Sequence, residues 1–449
     1  MGRTQTIKNG LAVAGGGVLL LWPALLNGYP ILFSDTGGLL SQGLEPEIGW
    51  DKPWAYGPFL LALCLRTTLW IPVVVQAVAV SHVLWLVQKA LGRCAWWRHM
   101  ALCAGLAGTA APWFASLLMP DIFAPVAVLC LFLLAYGDRL SRLERGWVLA
   151  LGAFAIAVHL SHLVVAVACL TVVLLLRPRR LAVCTAPLGL ALGLLLVTNW
   201  VGNGVLGVSP FGSVFALARL QADGPAADYL RMACPAAGYR LCGWSHEMPM
   251  DSDKFLWDPN GPIWGNDSGP TLIAAETARI VRETVQAYPL AILELGVGNT
   301  LRQLGRVRLG DALGSDYLDL TVLPRLVKFL PAAEAVRFKA SLQDHDALAS
   351  MAAQWAGLHL ALLVVGDFAA LGVLALAWRR RDGVMGGFAA IVLVGVLANA
   401  CATGALSGPH DRYQARIAWL VLLPPVLAMV NAPGLRRVKA GTAGANHVR

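Results

Sequence analysis

Ten apolar runs limit what this chain can become. They fall at 11–33, 69–88, 100–118, 121–136, 147–160, 162–176, 181–199, 356–377, 384–404 and 415–431. A helix that crosses a bilayer needs about 20 apolar residues, fewer where it is broken or paired. Hydrophobic residues make up 57% of the 449 and charged ones only 14%, against about 25% charge in an ordinary soluble domain. Mean hydropathy is +0.63. Such a composition excludes a disordered chain, a cytosolic enzyme and a nucleic-acid binder, despite a net charge of +9. The expected fold is an all-α polytopic membrane protein of about ten transmembrane helices. The fifth and sixth runs meet at His159-Leu160-Ser161-His162, which reads as a hairpin of two short helices.

Charge placement gives an orientation. The segments 1–10, 89–99, 137–146, 177–180, 378–383 and 432–449 carry 18 of the 35 Lys and Arg residues. With ten spans all six fall on one side, the cytoplasmic side by the positive-inside rule. Both termini are then cytoplasmic. Those segments hold only three acids, Asp138, Glu144 and Asp382, so most carboxylates lie outside, where acid–base chemistry is expected. No small-residue cleavage site follows the first run, which reads as a retained anchor. The expected location is the cytoplasmic (inner) membrane of a bacterium, with the active site on the periplasmic side.

The chain divides into an N-terminal transmembrane module, 1–199, with a first outer loop at 34–68. An extracytoplasmic segment, 200–355, follows, then a C-terminal transmembrane module, 356–431, and a cytoplasmic tail, 432–449. Within the outer segment, 221–270 is rich in Gly, Pro, Asp and Trp and reads as ordered loop. The stretch 271–309 has helical periodicity, with Thr271 as a cap and Tyr288-Pro289 as a break. Its second half, Leu290 to Val307, is apolar on one side and suits a membrane interface. Cys234 and Cys242 lie outside with seven residues between them. In an oxidising compartment a disulfide is expected, two free thiols being the alternative.

Several residues stand where chemistry is possible. Asp35, in Phe33-Ser34-Asp35-Thr36-Gly37-Gly38, follows the first run directly. A carboxylate at the edge of hydrocarbon is expensive without a task or a partner, although capping a helix from Thr36 would also explain it. Behind it come Glu45, Glu47, Trp50, Asp51, Trp54 and Tyr56, then a short apolar stretch at 58–66. Asp121 is the only charge on the next outer turn and reads either as a site acid or as an N-cap. His159 and His162 suit phosphate or hydroxyl contact, with a shared metal or polar filling of the helix break as alternatives. At the outer end of the last run, Gly408-Pro409-His410-Asp411-Arg412-Tyr413 carries four polar residues in a row. The planar fork of Arg412 matches a phosphate. Asp367, mid-run, is a candidate by default. Asp251-Ser252-Asp253 has the form of a DxD metal motif, Asn266-Asp267-Ser268 has a glycan-acceptor pattern, and Trp257 and Trp264 offer an aromatic wall for sugar faces.

The order of these features resembles the GT-C superfamily, integral-membrane glycosyltransferases that use polyprenyl-phosphate sugars. Protein O-mannosyltransferases and aminoarabinose transferases are members. The resemblance spans most of the chain as an order of features and touches Asp35, Asp121, the 159–162 hairpin and Arg412. It implies that Asp35 is the general base or acceptor-positioning carboxylate, and that Asp121 organises the acceptor site or a metal. It implies further that the hairpin holds the lipid phosphate. The family commonly places a Lys there; this chain has His159 and His162, with Arg412 or Arg66 as substitute cations. The candidate donor phosphate contacts are Arg412, His159, His162 and His410. The candidate acceptor or sugar contacts, read from the residues themselves, are Asp411, Tyr413, Trp54, Tyr56 and Trp257. The implied partners are the lipid-linked donor, an envelope glycan, lipid or protein acceptor, and membrane lipids. A divalent cation (Mg or Mn) is the one candidate cofactor. A transporter or flippase, and a non-catalytic assembly subunit, are the competing classes. A transporter would be expected to show several intramembrane charges and paired halves.

Overall fold

The computed structural model of the protein describes residues 3–45, 48–244, 247–265 and 269–429. Glu47, Asn266-Asp267-Ser268, the end of the last apolar run and the tail at 432–449 lie outside the described residues. Among the described residues every regular element is helical, and the extended contact is an isolated bridge between Ile31 and Leu117.

Among the described residues four helices are long and apolar enough to cross a membrane: Trp70–Ala90, Pro178–Asn203, Ala356–Arg380 and Gly383–Leu406. The protein is thus an α-helical membrane protein. Pro120–Tyr136 and Ser161–Leu176 are apolar but shorter. The expected count of ten is not reached on length and composition, for local reasons. The 11–33 run breaks after Leu19 and resumes as Trp22–Asn27, with Pro23 in its first turn. The 100–118 run divides into Trp96–Leu106 and Ala111–Ser116, the latter opened by Pro112. The 415–431 run passes through a 3-10 turn, Trp419–Leu422, before Pro424 and Pro425. Proline lacks an N–H and crowds the preceding turn, so it is favoured at helix starts and kinks or breaks a helix interior.

The centre of the bundle is Phe123–Tyr136, every residue of which is buried. A helix apolar on all sides has to be enclosed. Arg142–Ala157, Ser161–Leu176, Trp70–Ala90 and Gly383–Leu406 surround it. By contrast Ala356–Arg380 buries only 22% of its apolar window and Pro178–Asn203 only 28%, so both turn most of their surface outward.

Two turns, at 28–33 and 116–122, are stitched side by side, and this fixes two carboxylates. Ile31 N donates to Ser116 O at 3.0 Å and Leu118 N donates to Ile31 O at 2.9 Å. Thr36 Oγ1 accepts from Phe33 N at 2.9 Å and donates to Leu118 O at 3.1 Å. From the other side the Gln343 side chain clamps Leu32, accepting from its N at 3.0 Å and donating to its O at 2.6 Å. The Ser34–Leu44 helix then packs at backbone contact. A Cβ on Gly37 would stand 2.0 Å from Thr321 O, and one on Gly43 would stand 2.3 Å from Gly57 O. Overpacking of this kind is destabilising by about 1–3 kcal/mol. Gly37→Ala is therefore expected to lower the melting temperature in detergent. Gly38→Ala, whose new methyl meets only Lys52 Nζ at 4.0 Å, should leave it nearly unchanged.

In the outer segment Pro270–Ala287 and Pro289–Leu304 are separate helices with Tyr288 between them. Thr271 is not the cap: Gly269 holds that position and Pro270 opens the helix. Asp251 accepts from Lys254 N at 2.8 Å and caps Ser252–Trp257, so the DxD form serves a helix start. Cys234 and Cys242 are joined as a disulfide. Glu283 accepts from Tyr229, from Arg279 Nε at 2.9 Å and from Tyr239 at 2.7 Å. These donors, Tyr229 first, hold its carboxyl down at about 2. A depressed carboxyl stabilises the fold above the ordinary carboxylate range, and that contribution is lost as pH falls through the folded value. Glu283→Gln is therefore expected to lower thermal stability at pH 7. The gap from wild type should shrink as the pH is taken down towards 2, read in parallel melts.

Candidate functional site

The stitched turns bring Asp35 and Asp121 to one place, and the last helices bring two arginines to them. Asp35 lies in the first turn of Ser34–Leu44, whose N-cap is Phe33. Its side chain caps nothing and is one-third exposed. Asp121, in the 3-10 turn Pro120–Ile122, is 2% exposed and likewise caps nothing. Both capping alternatives are thus removed.

Arg412 and Arg416 are four apart on Asp411–Ala418, hence on one face of that helix. Arg412 Nη2 is 3.9 Å from Asp35 Oδ2, and its Nη1 is 3.9 Å from Asp121 Oδ2. Its guanidinium lies 4.1 Å from the Phe33 ring centre and 5.1 Å from that of Tyr413. At 3.9 Å the carboxylates attract Arg412 without hydrogen-bonding it, and its Nη1 is buried with no hydrogen-bond partner. Arg416 is fully buried. It donates to Asp121 Oδ1 at 3.3 Å, to Ser161 Oγ at 2.8 Å and to Asn399 Oδ1 at 2.9 Å.

The histidine hairpin closes the far side. His159 Nδ1 accepts from Ser161 N at 3.2 Å and Ser161 Oγ at 2.8 Å, which leaves the ring proton on Nε2. His162 Nδ1 donates to Ala155 O at 2.6 Å, and its buried Nε2 has no partner. The two rings stack with centres 5.1 Å apart.

Lys52 completes the near side, 3.3 Å from Asp35 Oδ1 and also paired with Asp51. Burial pulls its pKa down, but the Asp35 and Asp51 carboxylates outweigh that and hold it above the ordinary lysine value. Lys52 Nζ is 5.8 Å from the Trp257 ring centre. Trp50 stacks on Phe215 at 5.1 Å and meets Trp257 at 5.4 Å and Trp264 at 5.9 Å. The outer segment is thereby docked against the lysine that holds Asp35.

Other candidates have different work. Tyr56 is fully buried and donates to Gln76 Oε1 at 3.1 Å; it is core, out of reach of a sugar. Trp54 Nε1 donates to Gln42 O at 3.2 Å and holds the first outer loop to its helix. His410 is clamped through its backbone by Gln303, at 2.9 and 2.8 Å, and its ring rests against Tyr413. Asp411 Oδ1 accepts from Arg308 N at 3.1 Å. Arg66 donates to Leu44 O at 3.0 Å, at the opposite end of Ser34–Leu44 from Asp35, so Arg412 and Lys52 are the cations at this carboxylate. Tyr413 forms the floor under both arginines. Asp367 is exposed on the outward side of Ala356–Arg380, away from the cluster.

Sequence reasoning missed Arg416, Ser161, Asn399 and the part played by Lys52. Arg416 was legible: it is a charge inside an apolar run, and it shares a face with Arg412. Among the described residues no group of three or more His, Cys, Asp or Glu side chains is placed to hold a metal. Arg412 stands between the two carboxylates, 3.9 Å from each.

No protein-family model, no curated protein and no solved structure matches this chain. The class defined by the fold is an α-helical membrane protein, and its site is read from its own residues.

Proposed function

We propose that the protein transfers a sugar from a polyprenyl-phosphate donor to an envelope acceptor at the outer face of the cytoplasmic membrane, as a GT-C-like glycosyltransferase. In this reading the two shorter apolar helices and the broken apolar runs join the four long helices to make about ten crossings, with both termini cytoplasmic. The observation that carries it is the pairing of a part-exposed carboxylate, Asp35, with an under-bonded, buried arginine, Arg412, in one cluster.

The chemistry is a single displacement. Asp35 accepts the proton of the acceptor hydroxyl as its oxygen bonds to the sugar's anomeric carbon. The bond from that carbon to the phosphate oxygen breaks, and its electron pair leaves on the lipid phosphate. Arg412 and the His159 Nε2–H stabilise the leaving charge, as preorganised donors do where charge develops. One carboxylate suffices, and the linkage is inverted. Asp121 and Arg416 hold Arg412 in place.

The test is to incubate the purified protein with radiolabelled polyprenyl-phosphate sugars and envelope extract, following lipid phosphate release and label in the acceptor. Consumption of at least one donor with label transferred is expected. Movement of a lipid across proteoliposomes with every donor left intact would replace this reading with transport.

A further inference from the structure

We infer that the acceptor is a carbohydrate, seated on the exposed face of Trp257 beside Lys52, Asp51 and Asp35; this rests on the transferase reading above. Trp257 ends Ser252–Trp257 and is 43% exposed, although the Trp50 and Phe215 rings lie 5.4 and 6.4 Å from its own. Its inner edge is fixed by Trp50 and Phe215, and Trp264 Nε1 donates to Leu256 O at 2.8 Å, anchoring the same turn. A rigid, half-open indole is a stacking surface and not a core residue. The Trp257 centre is 5.8 Å from Lys52 Nζ, and that nitrogen is 3.3 Å from Asp35 Oδ1. The platform and the proposed base are therefore no farther apart than those two distances laid end to end, within the span of one or two sugar units.

The chemistry around the ring selects the ligand. A sugar offers an apolar C–H face to the negative face of an indole and hydroxyls at its rim. Here the Lys52 ammonium lies beside the ring and carries two carboxylates, Asp35 and Asp51, so the neighbourhood both donates to and accepts from hydroxyls. A lipid chain gains nothing beside three charges. A peptide taken by strand addition needs a free strand edge, and among the described residues there is no strand. Trp50 lies in the first outer loop and Trp257 in the large outer segment, so acceptor recognition joins the two parts of the outer surface.

The test uses the full-length protein in nanodiscs with no donor present. Saturation-transfer NMR would follow binding of glucose-, galactose-, mannose- and arabinose-based oligosaccharides and of an envelope glycan digest. Binding of at least one is expected, weakened about tenfold or more in Trp257→Ala (about 1.4 kcal/mol) and retained in Trp257→Tyr. Absence of binding to wild type across the panel, or equal binding to Trp257→Ala with an unchanged melt, overturns the inference. Sugar transfer onto a peptide or lipid acceptor would also overturn it while leaving the transferase reading intact. Oligosaccharide binding without donor consumption would sink the transferase reading and leave the carbohydrate site standing.

Discussion

Asp35→Asn is expected to lower the rate of sugar transfer by about 10²–10⁴-fold, the usual yield of a positioned general base, with little change in the melting temperature. The asymmetry follows from what Asp35 touches. Its side chain caps no helix, and Lys52 keeps Asp51 when Asp35 loses its charge. The amide preserves shape and cannot take a proton from the acceptor. A residue acting only through structure would show the opposite split, with a cost near 1 kcal/mol for a lost cap and an intact rate. Asp35→Glu should restore part of the rate, because a base is present but displaced by one methylene.

Arg416→Ala is expected to have the largest effect on stability. Arg416 is fully buried and supplies Asp121 with its closest cation; the remaining one, Arg412, stands at 3.9 Å. Removing one partner of a buried pair is destabilising by about 3–5 kcal/mol, because the other charge is left uncompensated. Ser161 and Asn399 lose their donor as well. Arg416→Lys should be intermediate, since one ammonium cannot bridge Asp121, Ser161 and Asn399 at once. The double variant Asp121→Asn, Arg416→Gln should recover much of the loss by discharging both partners. Chemical denaturation in detergent reads all three. A single variant as stable as wild type would mean that the pair is not the keystone of the outer cluster.

The parts of this site that were legible in the sequence share one property: they are charges at the ends of apolar runs. Asp35, Asp121 and Arg412 stood out because a charge beside hydrocarbon demands a reason, and the structure gathers them. Arg416 was missed, although the same rule and its spacing to Arg412 would have found it. Other features were not local. The bridge between Ile31 and Leu117 that aligns the two acids joins residues far apart in sequence. Tyr56 and Trp257 are both aromatic residues in polar surroundings, yet one is sealed against Gln76 and the other stands open. Composition cannot tell them apart, because the difference lies in which helix covers them. The broken runs were signalled by Pro23, Pro112 and Pro424, each at the start of a new helix.

The most direct measurement is the fate of the donor's anomeric carbon. A purified donor of defined anomer, incubated with the wild-type protein and an acceptor, would be followed by NMR of the new linkage alongside the lipid phosphate released. The account predicts an inverted linkage, one lipid phosphate per sugar transferred, and both products formed about 10²–10⁴-fold more slowly with Asp35→Asn. A retained linkage would contradict the single-carboxylate displacement, and equal product from wild type and Asp35→Asn would remove Asp35 from the chemistry altogether.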